Sequence, residues 1–590
     1  MAAKPQDALT EMMRRIVVAA RAGRMDEAAA LVAQAEAAGA PRADLAGPAQ
    51  ASTFAALAGA VAFYRGDHAG AAAWLAPAHA ARPADMTIRA NLAEALWHCA
   101  RPAEALALCE EEAARADRSL RLARLGAHLA QEAEDFARAA ALYRIVVEAA
   151  PDDWSAWNNL GNALSPLGDV AGALAAATRA AALAPDSAPV RLNLAHAQAE
   201  AGEREAAMAT LRALSQDFPE DTHAPHALYV LARDAGDAPA ADAALSEAVA
   251  RAPTRADLQA ELGQLRAQIG AFAAAEAPLR TAVALDPQLG QGWVGLASLL
   301  ERLNREDEIA PLRAEAAASG TDAASLSFID ALRLKREGDY AGALDALDRA
   351  GTDVVTPGQR LHLRGVLLDR LKRADEAFAA FAQMNAHWAA DASDPRGRAA
   401  AYRAGVAANS ALLTREWAQG WTPDPAPQRP APIFVLGFPR SGTTLLDTML
   451  MAEPRVRVLE EEAIIADIEA QLGGVAALPA LSGQQIEAAR ATYFARADAL
   501  AGSSPEHVIV DKHPMHLVHA PTIRRLFPDA RFVLALRHPC DVLLSCFLTN
   551  FRLNDAMANF LDLGDAAALY EAAFGQWQAA REVLGLAVGT

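Results

Sequence analysis

The sequence predicts two fold classes in series: an all-α solenoid of helical hairpins, then an α/β domain built on a parallel sheet. Three observations carry this. Alanine, glycine and proline recur at a 34-residue spacing through much of the 590-residue chain, a proline-rich stretch breaks the helical pattern at Thr422–Pro432, and beyond it short apolar runs alternate with helical segments.

The repeats come first. Stepping by 34 residues from Gly66 gives Ala100, Glu134, Gly168, Gly202, Gly236, Gly270, Asn304, Gly338 and Lys372, and five residues after each of these ten positions nine carry alanine, Ile309 being the exception. Six of the units place a proline twelve residues beyond that small residue: Pro83, Pro151, Pro185, Pro219, Pro253 and Pro287. Two amphipathic helices cross closely where a small residue lets them, a glycine eases the turn between them, and a proline ends the second helix. Such a hairpin cannot bury its apolar face alone, so it stacks on its neighbours. The pattern resembles tetratricopeptide repeats, most clearly in "WNNLGNALSPLGDVAGALAAATRAAALAPDS" from Trp157. The regular register covers about residues 50–390, "AGRMDEAAAL" around Ala28 is one further unit, and residues 1–410 are assigned to the solenoid. Asn91, Asn159 and Asn193 share one repeat position, and amides there suit either a peptide backbone or the ordinary consensus of the repeat.

Residues 411–431 are the expected linker, because five prolines in "TPDPAPQRPAP" favour an extended, semi-rigid connector over a helix. Residues 432–590 then read as the α/β domain. Strands are expected at "IFVLGF", "HVIVD" and "RFVLAL", and helices at "GTTLLDTMLMAE", "APTIRRLF" and "CDVLLSCFL". Ligands of such sheets bind beyond the carboxyl ends of the strands.

"GFPRSGTT" sits at one such end. Gly437 and Gly442 have the spacing of a nucleotide-binding P-loop, but Thr443 stands where the lysine belongs and Thr444 where the hydroxyl belongs. The remainder is still an anion site, with backbone N–H groups at a helix N-terminus, two hydroxyls and the cation of Arg440. "PRSGTTLL" resembles the 5′-phosphosulfate loop of sulfotransferases that use 3′-phosphoadenosine 5′-phosphosulfate (PAPS), in particular the branch of protein-tyrosine sulfotransferases and repeat-bearing bacterial enzymes. "RFVLALRHPCDVLLSCF" resembles the strand and helix of that family that grip the 3′-phosphate.

The resemblance implies a P-loop-like parallel-sheet fold, PAPS as co-substrate and no metal. It assigns Arg440, Ser441, Gly442, Thr443 and Thr444 to the 5′-phosphosulfate, and Arg537 and Ser545 to the 3′-phosphate. In "VRVLEEEAII" it matches Glu461 to the catalytic glutamate. Glu460 competes for that role, and acidic residues there also suit the first turn of a helix. Lys512, one of only four lysines in the chain, matches the family's active-site lysine and, with Arg440, would stabilise the leaving group. His513 and His516 beside it remain alternative bases.

Charge and composition narrow the partners. A formal charge of -19 argues against a nucleic-acid binder, so an anion must be captured locally. Cys99, Cys109, Cys540 and Cys546 are too few for a disulfide framework and read as small buried side chains. No apolar run suggests membrane insertion, and a soluble, cytoplasmic chain is expected. After "REVLGLAVGT" nothing matches the further strand and adenosine-covering loop of the family, so a C-terminally incomplete transferase domain lacking its last strand is expected. The function expected is sulfuryl transfer to an acceptor hydroxyl, on a protein or peptide bound by the repeats. A protein-binding scaffold with an inactive transferase remnant and an atypical P-loop kinase are the alternatives.

Overall fold

The computed structural model describes residues 5–40, 48–391, 393–422, 425–504 and 506–589. The chain divides into two compact units, Met1–Ala252 and Pro253–Thr590. The first is made of helical hairpins such as Trp154–Leu164 with Val170–Leu183. The second holds further hairpins and the sheet domain.

The turn position of the repeat explains its own sequence. All ten residues spaced from Gly66 have positive φ, from the glycines (Gly168 +73°, Gly270 +84°) to Ala100 (+56°), Glu134 (+58°), Asn304 (+55°) and Lys372 (+62°). This left-handed residue lets the following N–H reach back to close the first helix, as Asp135 N does to Ala130 O at 2.8 Å. Where that next residue is aspartate (Asp67, Asp135, Asp169, Asp237 and Asp339), its carboxylate also accepts an N–H in the first turn of the second helix. The nine alanines and Ile309, five residues after the turn, are at most 4% exposed. Each of the six prolines lies two residues past a helix end, Pro185 after Leu183 for instance.

A left-handed conformation costs an L-residue about 1–2 kcal/mol, part of which glycine returns as unfolded-chain entropy. Glu134→Gly and Lys372→Gly are therefore expected to stabilise the protein by roughly 0.5–1 kcal/mol, and Gly168→Ala to destabilise it by a similar amount. Urea midpoints of the three variants check this. A lower midpoint for Glu134→Gly would contradict it.

In the second unit the repeat helix α1 (Ala374–Ala389) and the long helix α2 (Pro395–Leu412) lead to the sheet. Its elements run β1 (Ile433–Gly437), α3 (Thr443–Leu450), β2 (Val456–Glu460), α4 (Ile464–Gln471), α5 (Gly483–Ala501), β3 (Val508–Lys512), α6 (His516–Leu526), β4 (Arg531–Ala535), α7 (Pro539–Leu548), α8 (Leu563–Leu584) and β5 (Ala587–Gly589). Strand order is β2-β3-β1-β4-β5, and every pairing is parallel. The apolar strands are covered by aromatics: the Phe434 ring lies 5.9 Å from Phe527 and 6.0 Å from Phe532, and Trp577 of α8 packs on Phe532 at 5.5 Å.

Two strands stand outside the three expected from the sequence. "VRVLE" is strand β2, although its neighbouring carboxylates drew it toward a helix start. β5, inside "REVLGLAVGT", pairs with β4; three residues are too few to show alternation in the sequence.

Three described residues of the proline-rich segment bond to the sheet domain, while residues 423 and 424 of the expected linker lie outside the described residues. Arg525 donates to the carbonyl and hydroxyl of Thr422 at 3.0 and 2.5 Å, Arg490 donates to Pro425 O at 2.8 Å, and Arg429 pairs with Asp498 at 2.8 Å while lying 4.4 Å from the centre of the Phe494 ring. Repeat helix α1 meets the domain as well. Phe378 stacks on Phe547 of α7 at 5.3 Å, Asn385 Nδ2 donates to Phe547 O at 2.9 Å, and Trp388 Nε1 donates to Asn550 Oδ1 at 3.0 Å. From α2, Arg403 and Arg398 pair with Asp565 and Asp555, each at 2.9 Å.

Candidate functional site

The carboxyl ends of the strands carry the candidate residues. β1 pairs with β4 so that Gly437 lies level with Ala535, which brings the two loops that follow them side by side. A Cβ on Gly437 would lie 2.5 Å from Ser441 Oγ and 2.8 Å from Ala535 O, so only glycine lets the loop fold back here. Arg440 (φ +69°) and Gly442 (φ +99°) are both left-handed and flank Ser441, whose N–H closes the turn onto Phe438 O at 3.1 Å before α3 begins. Ser441 Oγ is buried and has no hydrogen-bond partner among the described residues. That orphaned hydroxyl, the free N–H groups of the first turn and the exposed Arg440 fit an anionic ligand.

The residues expected on the 3′-phosphate adjoin this loop. Arg440 Nε donates to Ser545 Oγ on α7 at 3.0 Å, and Arg537 Nη1 reaches Arg440 O at 3.4 Å while its Nε lies 3.7 Å from Asp541. Arg440, Ser545 and Arg537 thus form one connected group with Ser441 and Gly442. Thr443 is buried and Thr444 is exposed at the helix start.

A second cluster lies at the ends of β2 and β3. Glu460 pairs in register with Lys512, and Glu461 N donates to Lys512 O at 2.7 Å. Glu461 is left-handed (φ +57°), which ends the strand and turns its side chain back. Helix α4 begins only at Ile464, so these carboxylates do not cap its first turn. They meet Lys512 instead: Nζ is 2.9 Å from Glu461 Oε1, 3.2 Å from Glu460 Oε1 and 3.1 Å from Asp447 Oδ2. Burial alone pulls the Lys512 ammonium down. The bond to Glu461 and its charge, followed by the close contacts with Asp447 and Glu460, more than offset this and leave its pKa above the ordinary value.

Sequence reasoning missed Asp447. It stands four residues after Thr443, and both are buried on the inner side of α3. A lone acid inside "TTLLDTMLM" was the available signal.

The histidines are engaged elsewhere. His513 Nδ1 accepts from Met515 N at 3.1 Å, and burial, reinforced by the nearby His516, His519 and Lys512, pushes its pKa down to about 2. His516 Nε2 lies 2.9 Å from buried Asp511, which also accepts from Tyr493 OH at 2.8 Å; burial and Asp511 hold that phenol well above its usual pKa. An unfolded histidine titrates near ~6.5. The stabilisation from keeping His513 neutral is complete above that pH and is lost as pH falls toward 2, by up to ~1.4 kcal/mol per pH unit. His362, held to about 4 mainly by burial, adds to this down to pH 4. His513→Gln should flatten the fall in urea midpoint between about pH 6.5 and 5. An unchanged slope would rule the effect out.

The cysteines are only partly as expected: Cys109 and Cys546 are buried with thiols pushed up to about 12 by burial, whereas Cys540 is exposed. Among the described residues no group of three or more His, Cys, Asp or Glu side chains could hold a metal ion, and no helix is long and apolar enough to cross a membrane.

Comparison with known proteins agrees with both halves of the architecture. A sulfotransferase family model matches residues 432–587, and a tetratricopeptide repeat model matches residues 167–230. Protein-tyrosine sulfotransferase 2 of Gallus gallus is 32% identical over 114 residues, which are 18% of this chain and 30% of that protein. The match therefore spans less than a third of the relative's length. Among solved structures, yeast Tom70 is similar at 13% identity (64% of this chain, 92% of that one, TM-score 0.32). A tetratricopeptide repeat protein from Parabacteroides merdae is similar at 15% identity (41% and 96%, TM-score 0.31). Residues 432–587 are a sulfotransferase-family domain, carried on a chain that also bears tetratricopeptide repeats.

Proposed function

We propose that this protein transfers a sulfuryl group from 3′-phosphoadenosine 5′-phosphosulfate to an acceptor hydroxyl. The observation that carries the reading is the span of α3: its N-terminus closes the Arg440–Gly442 anion loop, and Asp447, one turn along, touches the Lys512–Glu461 pair. One rigid helix thus joins an anion-binding group to an acid–base group. In this reading the loop N–H groups, Arg440, Ser441, Gly442, Thr443 and Thr444 hold the 5′-phosphosulfate, and Arg537 and Ser545 hold the 3′-phosphate. Glu461 takes the proton of the acceptor hydroxyl. Lys512 and Arg440 stabilise the charge that develops on the leaving phosphate oxygen. Positioning and electrostatics supply most of the rate, as in phosphoryl transfer.

The acceptor we favour is a protein or peptide held by the repeats, in a cytoplasmic setting. In the second unit a groove of about 610 Å³ is lined by Gln264, Gln268, Gln291, Ser298, Ser325 and Gln359. Amides and hydroxyls of this kind suit a peptide main chain, although Gln264 and Gln291 already bond each other at 3.1 Å.

Calorimetric titration with adenosine 3′,5′-bisphosphate, and with ADP plus magnesium, tests the reading. Tighter binding of the bisphosphate is expected. No binding of it would leave a repeat scaffold with an inactive remnant, and preference for magnesium ADP would favour a kinase. Transfer of labelled sulfate to separated proteins, polysaccharides and metabolites then identifies the acceptor.

A further inference from the structure

We propose that Asp447 is a positioning residue for this transfer, the permanent partner that holds the Lys512 ammonium charged and in place while Glu461 changes its protonation state. The inference rests on the sulfuryl-transfer reading above.

Three carboxylates share one ammonium, and burial separates their roles. The side chains of Lys512 and Asp447 are both 0% exposed, whereas those of Glu460 and Glu461 are 51% and 53% exposed. A half-exposed carboxylate is free to turn toward solvent or an acceptor. Asp447 is not. Among the described residues its Oδ2 is held by the ion pair at 3.1 Å without a well-aligned hydrogen bond, and its Oδ1 meets only the neighbouring Thr448 hydroxyl at 3.3 Å. A buried carboxylate so placed depends on the ammonium, and the ammonium on it.

The reaction makes that dependence useful. The acceptor oxygen forms a bond to sulfur, the bond from sulfur to the bridging oxygen breaks, and the electron pair stays on the phosphate. The acceptor's proton passes to Glu461. At that moment Glu461 is neutral and Lys512 loses its nearest counter-ion, just when its charge is needed by the leaving oxygen. Asp447, sealed with Nζ away from solvent, stays its partner throughout. Because it stands on α3, it also fixes Nζ relative to the loop that begins the same helix. The other groups at Lys512 are Glu460, whose half-exposed carboxylate is not held in one place, and His513, which stays neutral.

The chain's four lysines make a direct test practical, since a ¹³Cε-lysine spectrum of the whole protein contains few resonances. In the wild type the Lys512 signal should not titrate below about pH 10, near the ordinary lysine value. In Asp447→Asn, its isostere, it should titrate at least tenfold more readily. The same variant should lose at least tenfold in kcat while binding adenosine 3′,5′-bisphosphate as tightly as the wild type or more so, one buried negative charge having been removed. Loss of packing alone would weaken binding and rate together.

If Asp447→Asn does not fold, Asp447→Glu carries the test: a charged Lys512 with lowered kcat supports the role, and wild-type kinetics overturn it. A folded Asp447→Asn with an unmoved Lys512 titration overturns the inference alone. A wild type that binds no bisphosphate overturns the transfer reading, and the lysine titration still decides whether Asp447 governs the ammonium.

Discussion

Glu461→Gln is expected to lower kcat for sulfuryl transfer by about 10²–10⁴, the usual worth of a general base, with nucleotide affinity nearly unchanged. Glutamine keeps the shape of the side chain and can still face Lys512, but it cannot accept the acceptor's proton. The left-handed backbone at Glu461 (φ +57°) argues that this carboxylate is aimed at some local cost, since strained non-glycine residues persist where the surroundings over-determine them. Glu460, at 3.2 Å from the same ammonium, is the competing base. Single-turnover rates of Glu461→Gln and Glu460→Gln side by side decide between them. Retained activity in Glu461→Gln would move the role to Glu460, because His513 and His516 are already committed to Met515 N and Asp511.

Lys512→Ala should cost both rate and stability. Removing a preorganised charge at a developing oxyanion typically lowers kcat by about 10²–10³. The same change leaves Asp447 fully buried without its cation, a loss of about 3–5 kcal/mol when one partner of a buried pair is removed. Denaturant unfolding and single-turnover kinetics on the same preparation separate the two effects. Lys512→Ala with wild-type stability would show that water reaches Asp447 and that the pair is not sealed. The double variant Lys512→Ala with Asp447→Asn should recover part of the stability and none of the rate.

The repeats and the glycine turn after β1 were legible in the sequence because their physics is local. A left-handed turn, a close helix crossing and a helix end each demand a residue type at a fixed spacing, and the ten positions spaced from Gly66 all adopt positive φ, even where the residue is Ala100 or Lys372. Arg440, Ser441 and Gly442 lie within one such local device. What stayed hidden depends on partners distant in sequence. β2 is a strand because β3 pairs with it, 52 residues separating Glu460 from Lys512; read alone, "VRVLEEE" looks like charge before a helix. β5 exists only through its pairing with β4. The meaning of Asp447 appears only when Lys512 arrives from β3, and the contact of Arg440 with Ser545 only when β4 lies beside β1. The neighbours of α7 were equally unreadable, since nothing in Phe378 or Asn385 distinguishes them from ordinary repeat residues.

Those last contacts bear on how such a domain can be moved between proteins. The matched segment begins at residue 432, yet the helix that carries Ser545 leans through Phe547 on residues 378 and 385, and Thr422, Pro425 and Arg429 bond to Arg525, Arg490 and Asp498. A cassette cut at the homology limit would bare an aromatic face and take away one of the partners of each of Arg525, Arg490 and Asp498. The portable part is longer than the recognisable part: recombination, natural or engineered, has to carry the last repeat along with the matched domain if the helix that holds Ser545 is to keep its place.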